Sequence, residues 1–154
     1  MKGYNFSTEI LVRFAETDAQ GIAHHASFVV WLEVARVAYL SEHAGGYLAI
    51  QAQGLEALTT AVDVRYHRAA YFDDRLRIWA RCVDIRGARF RYEYAIERPR
   101  SDGTAELVAE GSTAHATVDR TTRRPTRVPA SFAEAVARAE SPAPARRPAS
   151  AEPA

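Results

Sequence analysis

Ser27-Phe28-Val29-Val30-Trp31-Leu32-Glu33-Val34-Ala35-Arg36-Val37-Ala38-Tyr39-Leu40-Ser41-Glu42-His43 decides the fold. Phe28, Trp31, Leu32, Ala35, Ala38 and Tyr39 recur at three- and four-residue spacing, the period of an α-helix. Val29, Val30, Val34, Val37 and Leu40 extend the apolar surface almost all the way round and leave Glu33 and Arg36 as a narrow polar stripe. A helix apolar on nearly every side is expected to be buried. About 17 residues at ~1.5 Å each make a rod of about 25 Å, close to the diameter of a small domain.

Strand patterns flank this rod. Residues 8–15 alternate, with Ile10, Val12 and Phe14 on one face. Further on, Val62, Val64 and Tyr66 alternate with Asp63, Arg65 and His67; Leu76, Ile78, Ala80 and Cys82 with Arg77, Trp79 and Arg81; Ala88, Phe90, Tyr92, Tyr94 and Ile96 with Arg89, Arg91, Glu93 and Glu97. Such runs predict antiparallel strands half covered by a core. Residues 106–118 predict another strand, with a short one near 124–128. Tyr71-Phe72-Asp73-Asp74, Ile85-Arg86-Gly87-Ala88 and Ser101-Asp102-Gly103 fit hairpin connections. Residues 130–140 predict a short helix capped by Ser131 with Glu134 three positions on. The fold class is therefore α+β, one long antiparallel sheet wrapped around a central helix, in a single domain over 1–140. After Ser141 the chain is Ala, Pro, Arg and Ser without apolar period, and 141–154 is expected to be disordered. Such a subunit leaves a sheet edge and an outer face to cover, which pairing with a second copy solves.

Composition narrows the function classes. The chain has 154 residues, a formal net charge of +1 and one cysteine. Bulk charge favours neither nucleic acid nor a membrane surface. Cys82 alone makes no internal disulfide and no cysteine cluster, and reads as a buried strand residue. Neither a signal peptide nor a membrane span is apparent, so a cytoplasmic protein is expected. Gly45-Gly46 and Gly54 match no phosphate-binding glycine pattern, and no cofactor is implied.

The chemistry concentrates in Glu16-Thr17-Asp18-Ala19-Gln20-Gly21-Ile22-Ala23-His24-His25, directly before the buried helix. A helix N-terminus presents unpaired N–H groups and a partial positive charge, able to polarise an acyl oxygen and stabilise an oxyanion. Asp18 is near enough in sequence to reach the same point. The plainer alternative is an Asp that only bonds turn backbone. His24–His25 lacks a third ligand at recognisable spacing, so no metal site is expected. Ser27 lacks a nucleophile elbow and fits a helix cap better. Arg86 and Arg89, flanking a tight turn, are candidates for holding phosphates of a CoA-like nucleotide, against the alternative of a solvated face.

Arg13-Phe14-Ala15-Glu16-Thr17-Asp18-Ala19-Gln20-Gly21-Ile22-Ala23-His24-His25-Ala26-Ser27-Phe28, continued by Trp31-Leu32-Glu33 and Ala35-Arg36, resembles the N-terminal signature of the 4-hydroxybenzoyl-CoA thioesterase family. The resemblance covers about residues 6–137. It implies the hotdog fold, dimers that pair into homotetramers, and active sites between subunits. It also implies hydrolysis of an acyl-CoA thioester, with Asp18 as nucleophile or general base. By position, His25 supplies the N–H facing the thioester carbonyl, Gly21 is the turn glycine, and Thr60 resembles a pocket position contributed by the opposing subunit. The family often has Tyr and Asn where this chain has His24 and Ser27, two changes expected in the pocket lining. Release of an acyl chain from an acyl carrier protein uses the same thioester and remains an alternative, as does an acyl-CoA-binding module without catalysis.

Overall fold

Phe28, Trp31, Leu32, Ala35, Tyr39 and Leu40 form the buried side of the central helix, α1 (His25–His43). Each large side chain among them contributes about 1.5–3 kcal/mol by leaving water. The computed structural model describes residues 1–141, and all but the first residue of the tail expected to be disordered lies outside them. Five strands cover this side of α1: β1 (Phe6–Leu11), β2 (Leu55–Tyr66), β3 (Arg75–Arg86), β4 (Arg89–Pro99) and β5 (Ala105–Asp119). They form one antiparallel sheet in the order β1-β3-β4-β5-β2. Two short α-helices complete the described residues, α2 (Tyr47–Ala52) and α3 (Ala130–Glu140).

Register explains the two faces. Ile78 opposes Ile96, Ala80 opposes Tyr94 and Cys82 opposes Tyr92, and all six are buried against the helix. The intervening residues make the outer face, where Arg77 bonds Glu9, Trp79 bonds Glu97 and Arg81 bonds Glu93. β5 approaches β2 closely at Gly111, where an added Cβ would lie 2.5 Å from the Asp63 carbonyl oxygen. At the far end, Glu140 of α3 accepts from the Tyr39 hydroxyl at 2.6 Å and the Cys82 N–H at 3.0 Å. This contact ties α3 to both α1 and β3.

The sheet-around-helix expectation holds, with local corrections. β1 stops at Leu11; Phe14 begins a 3₁₀ turn and is 75 % exposed rather than facing the core. The cause is Glu16, which takes the Arg13 N–H and guanidinium and closes the turn. Residues 67–74 are not a hairpin, because β2 lies at one sheet edge and β3 between β1 and β4; they cross from one to the other. The segment near 124–128 makes only an isolated bridge, Val118 to Pro125. α3 begins at Ala130 with Pro129 at its cap position and no side-chain cap, so the Ser131 capping box does not form. α1 is buried on one side only: within the single chain Val29, Val30, Val34 and Val37 stay exposed, Val30 by 52 %.

Between helix and sheet, His115 is buried, its Nε2 at 2.7 Å from the Thr113 hydroxyl, which in turn meets the Tyr94 hydroxyl at 2.9 Å. Burial, with the Arg36 charge adding, pushes the His115 pKa down to about 4. An unfolded histidine titrates near 6.5, so between about pH 6.5 and 4 the unfolded chain binds the extra proton and stability falls as pH falls. Urea unfolding across that window should show a smaller loss for His115→Asn than for the parent chain; equal slopes would contradict a neutral buried imidazole.

Candidate active site

Glu16 organises the approach to α1. Its carboxylate accepts the Trp31 indole N–H at 2.9 Å as well as Arg13. Its carbonyl accepts the His24 N–H at 2.8 Å and the Ser27 hydroxyl at 3.1 Å. Burial pushes this carboxyl's pKa up, but the bonds from Arg13 and Trp31 outweigh it and hold it below its ordinary value. Glu16 is thus a strut between loop and helix.

The loop beyond it is a tight knot. The Asp18 N–H donates to the Ile22 carbonyl at 2.9 Å and the Gly21 N–H to the Asp18 carbonyl at 3.0 Å. Gly21 sits at φ +77°, a conformation that favours glycine. One carboxylate oxygen of Asp18, Oδ1, accepts the Gln20 N–H at 2.8 Å. Among the described residues the other, Oδ2, has no hydrogen-bond partner, so the turn orients the group and leaves one oxygen available.

Asp18 lines a cleft of about 350 Å³, with Gln20, Ile22, Ala23, His25 and Phe28 on its own side. The opposite wall is Tyr66 at the end of β2 with His67, Arg68, Ala69 and Ala70 behind it. His25 is the first residue of α1, so the helix N-terminus opens into the same cleft as the carboxylate. The His25 N–H has no protein partner among the described residues, whereas the next donor, Ala26 N–H, is taken by His24 Nδ1 at 3.1 Å. Tyr66 braces this turn: its hydroxyl donates to the His25 carbonyl at 3.0 Å and its ring meets Phe28 edge-on at 5.0 Å. A carboxylate and an unpaired N–H at a helix pole, lining one partly apolar cleft, suit attack on a polarised carbonyl.

The family model for the thioesterase-like superfamily matches residues 12–136. The chain belongs to the thioesterase-like superfamily. It is 29% identical over 112 residues to YneP of Bacillus subtilis (strain 168), a proposed acyl-CoA thioesterase, covering 73% of this chain and 78% of that one. The DHNA-CoA thioesterase of Staphylococcus aureus superposes with a TM-score of 0.77 at 28% identity, covering 86% of this chain and 88% of that one. A 4-hydroxybenzoyl-CoA thioesterase complexed with 4-hydroxybenzoyl-CoA shares the fold, with a TM-score of 0.78 at 18% identity over 85% of this chain and 97% of that one. The resemblance read from the signature and the hotdog fold it implied are both borne out.

Within this thioesterase-like chain the expected site residues separate into two groups. Asp18 and His25 share the cleft, and Gly21 shapes the turn beside it. His24 and Ser27 do not line the cleft. His24 is the helix cap, a role expected of Ser27, and the Ser27 hydroxyl is spent on the Glu16 carbonyl. Thr60 lies exposed at the irregularity of β2 between Thr59 and Ala61, away from this chain's own cleft. Arg86 and Arg89 face each other across the β3–β4 turn, beside the Leu55 end of β2 and at the opposite end of the sheet from Tyr66. Arg89 is level with Leu58 across β5, so along β2 the separation from Tyr66 is about 26 Å at ~3.3 Å per residue. The sequence reading missed the wall from Tyr66 to Ala70, whose signal was slight: an aromatic and two basic residues ending a strand.

Glu16→Gln should destabilise the protein at pH 7. A carboxyl whose folded pKa is depressed contributes stability above its unfolded value, near 4.3, and loses it as pH falls through the folded one. Urea unfolding at pH 7 and pH 3.5 should therefore show the gap between variant and parent closing at the lower pH. A gap independent of pH would refute the charged strut.

Proposed function

We propose that this protein hydrolyses an acyl-CoA thioester to the free acid and CoA at the Asp18–His25 cleft. The observation that carries the reading is the shared cleft, in which a carboxylate with one free oxygen faces the N-terminal pole of α1. The thioester carbonyl oxygen accepts the His25 N–H, which draws charge from the carbonyl carbon. Asp18 either attacks that carbon to give an anhydride that water then cleaves, or takes a proton from a water that attacks. In both, the C–S bond breaks and CoA leaves as thiolate, a good leaving group that lowers the demand for a general acid. A carboxylate serves as nucleophile or as base without a further activating residue. The likeness to YneP and to the Staphylococcus aureus enzyme supports acyl-CoA as the substrate class.

The site is completed by a second copy. Among the described residues β2 pairs on one side only, with β5, and Val29, Val30, Val34 and Val37 of α1 are exposed. Antiparallel pairing of two β2 edges about their midpoints lays the Leu55 end of one strand beside the Tyr66 end of the other. Each cleft then lies near its partner's sheet end, where the Arg86–Arg89 turn meets CoA phosphates bidentately, and Thr60 faces across the seam. Two such dimers form the tetramer that the family resemblance implies.

Asp18→Asn keeps a side-chain oxygen for the Gln20 N–H and should preserve the fold. It is expected to lower kcat about 10²–10⁴-fold, with KM changed only a few-fold, in steady-state thiol release over a panel of aryl- and fatty-acyl-CoA substrates. Unchanged turnover would remove Asp18 from the mechanism.

A further inference from the structure

Arg98 sits on β4, outside the cleft lining, and is engaged on every side. Its Nη2 donates to the Ala69 carbonyl at 2.6 Å and to Asp74 Oδ2 at 2.7 Å, its Nε to the same Oδ2 at 3.2 Å, and its Nη1 to Glu106 Oε2 at 2.6 Å. Glu106 is its cross-strand neighbour on β5, so the base of this clamp is rigid sheet. Asp74 Oδ2 also takes the Tyr71 N–H at 2.7 Å. The crossover from β2 to β3 is therefore held at Ala69 on one side and at Tyr71 and Asp74 on the other. Between those points lies Ala70, whose carbonyl accepts the Ala23 N–H at 2.7 Å. Ala23 stands two residues before His25 and lines the cleft, as do Ala69 and Ala70.

From this chain of contacts we infer that Arg98 is the positioning residue that sets the width of the cleft. It holds the Ala69–Ala70 wall at a fixed distance from the Ala23 strand and hence from the N-terminal pole of α1. The planar fork is what the position requires, since three acceptors, two on the crossover and one on β5, are reached at once; a lysine ammonium on a single flexible stem cannot span them. Displacement of a reacting group by about 1 Å, caused far from the chemistry, lowers rate by about 10²-fold. Arg98 thus acts on turnover without touching substrate.

The kinetic part of this inference rests on the proposed thioesterase reading; the structural part does not, and one experiment on the full chain separates them. Arg98→Lys and Asp74→Asn are compared with the parent by amide hydrogen exchange and by steady-state thiol release. In Arg98→Lys the Ala23 and Tyr71 amides should exchange at least about 10-fold faster while Ile96 on β4 keeps its protection, and kcat should fall about 10²-fold with KM within about threefold. Asp74→Asn, which removes one arm of the clamp, should shift the same amides and kcat in the same direction by less, and it decides the matter if Arg98→Lys does not fold. Unchanged exchange at Ala23, or loosened exchange with intact kcat, overturns the inference. A parent chain that cleaves no thioester overturns the proposed reaction instead, with the exchange at Ala23 still deciding what Arg98 holds.

Discussion

A helix laid on the inner face of an antiparallel sheet is anchored by its sides, and its N-terminal pole must end somewhere near the sheet's rim. In this molecule the side anchorage is Phe28, Trp31, Leu32, Tyr39 and Leu40, all buried under the sheet. The pole is left at the rim with an N–H unpaired, and the loop before it is knotted so that a carboxylate arrives at the same place. Glu16 is the physical link, because it bonds the helix through Trp31 and the loop through its own carbonyl. Loosening that residue would let the carboxylate and the pole move independently, which the proposed chemistry does not tolerate.

The proposed reacting groups come from residues close in sequence, while the frame that sets their spacing comes from residues far apart in it. Asp18 and His25 are seven positions apart. The wall facing them is carried by the crossover after β2, which is held in turn by Arg98 of β4 and Glu106 of β5. A local motif supplies the chemistry, and the sheet order supplies the geometry. The outer valines of α1 and the unpaired edge of β2 lie outside this frame and are the surfaces the proposed second copy would cover.

What was legible in the sequence followed this division. The helix stood out by its period, four of the strands by alternation, and Asp18, Gly21 and His25 by their order before the helix. Phe14 was misread because alternation continues through it, whereas a three-residue ion pair, Arg13 to Glu16, ends the strand. The turn at 71–74 looked like a hairpin because turn residues do not say which strands they join. α2 is only six residues long, too short for a periodic signal. His24 as cap was hidden because imidazole seldom fills a position that Ser or Asp usually takes. Tyr66 carries only a slight local mark and Arg98 none, since their importance arises only when β2 and β4 are folded to opposite sides of the same crossover.

The central claim is spatial: a thioester carbonyl fits between Asp18 and the first amide of α1. The most direct measurement is a crystal structure of the protein with a non-hydrolysable acyl-CoA analogue that keeps the carbonyl. The account predicts the carbonyl oxygen about 3 Å from the His25 nitrogen, with Asp18 Oδ2 facing the carbonyl carbon or a water beside it. An analogue bound elsewhere, or bound in this cleft with the Asp18 carboxylate turned away from its carbonyl, would contradict it.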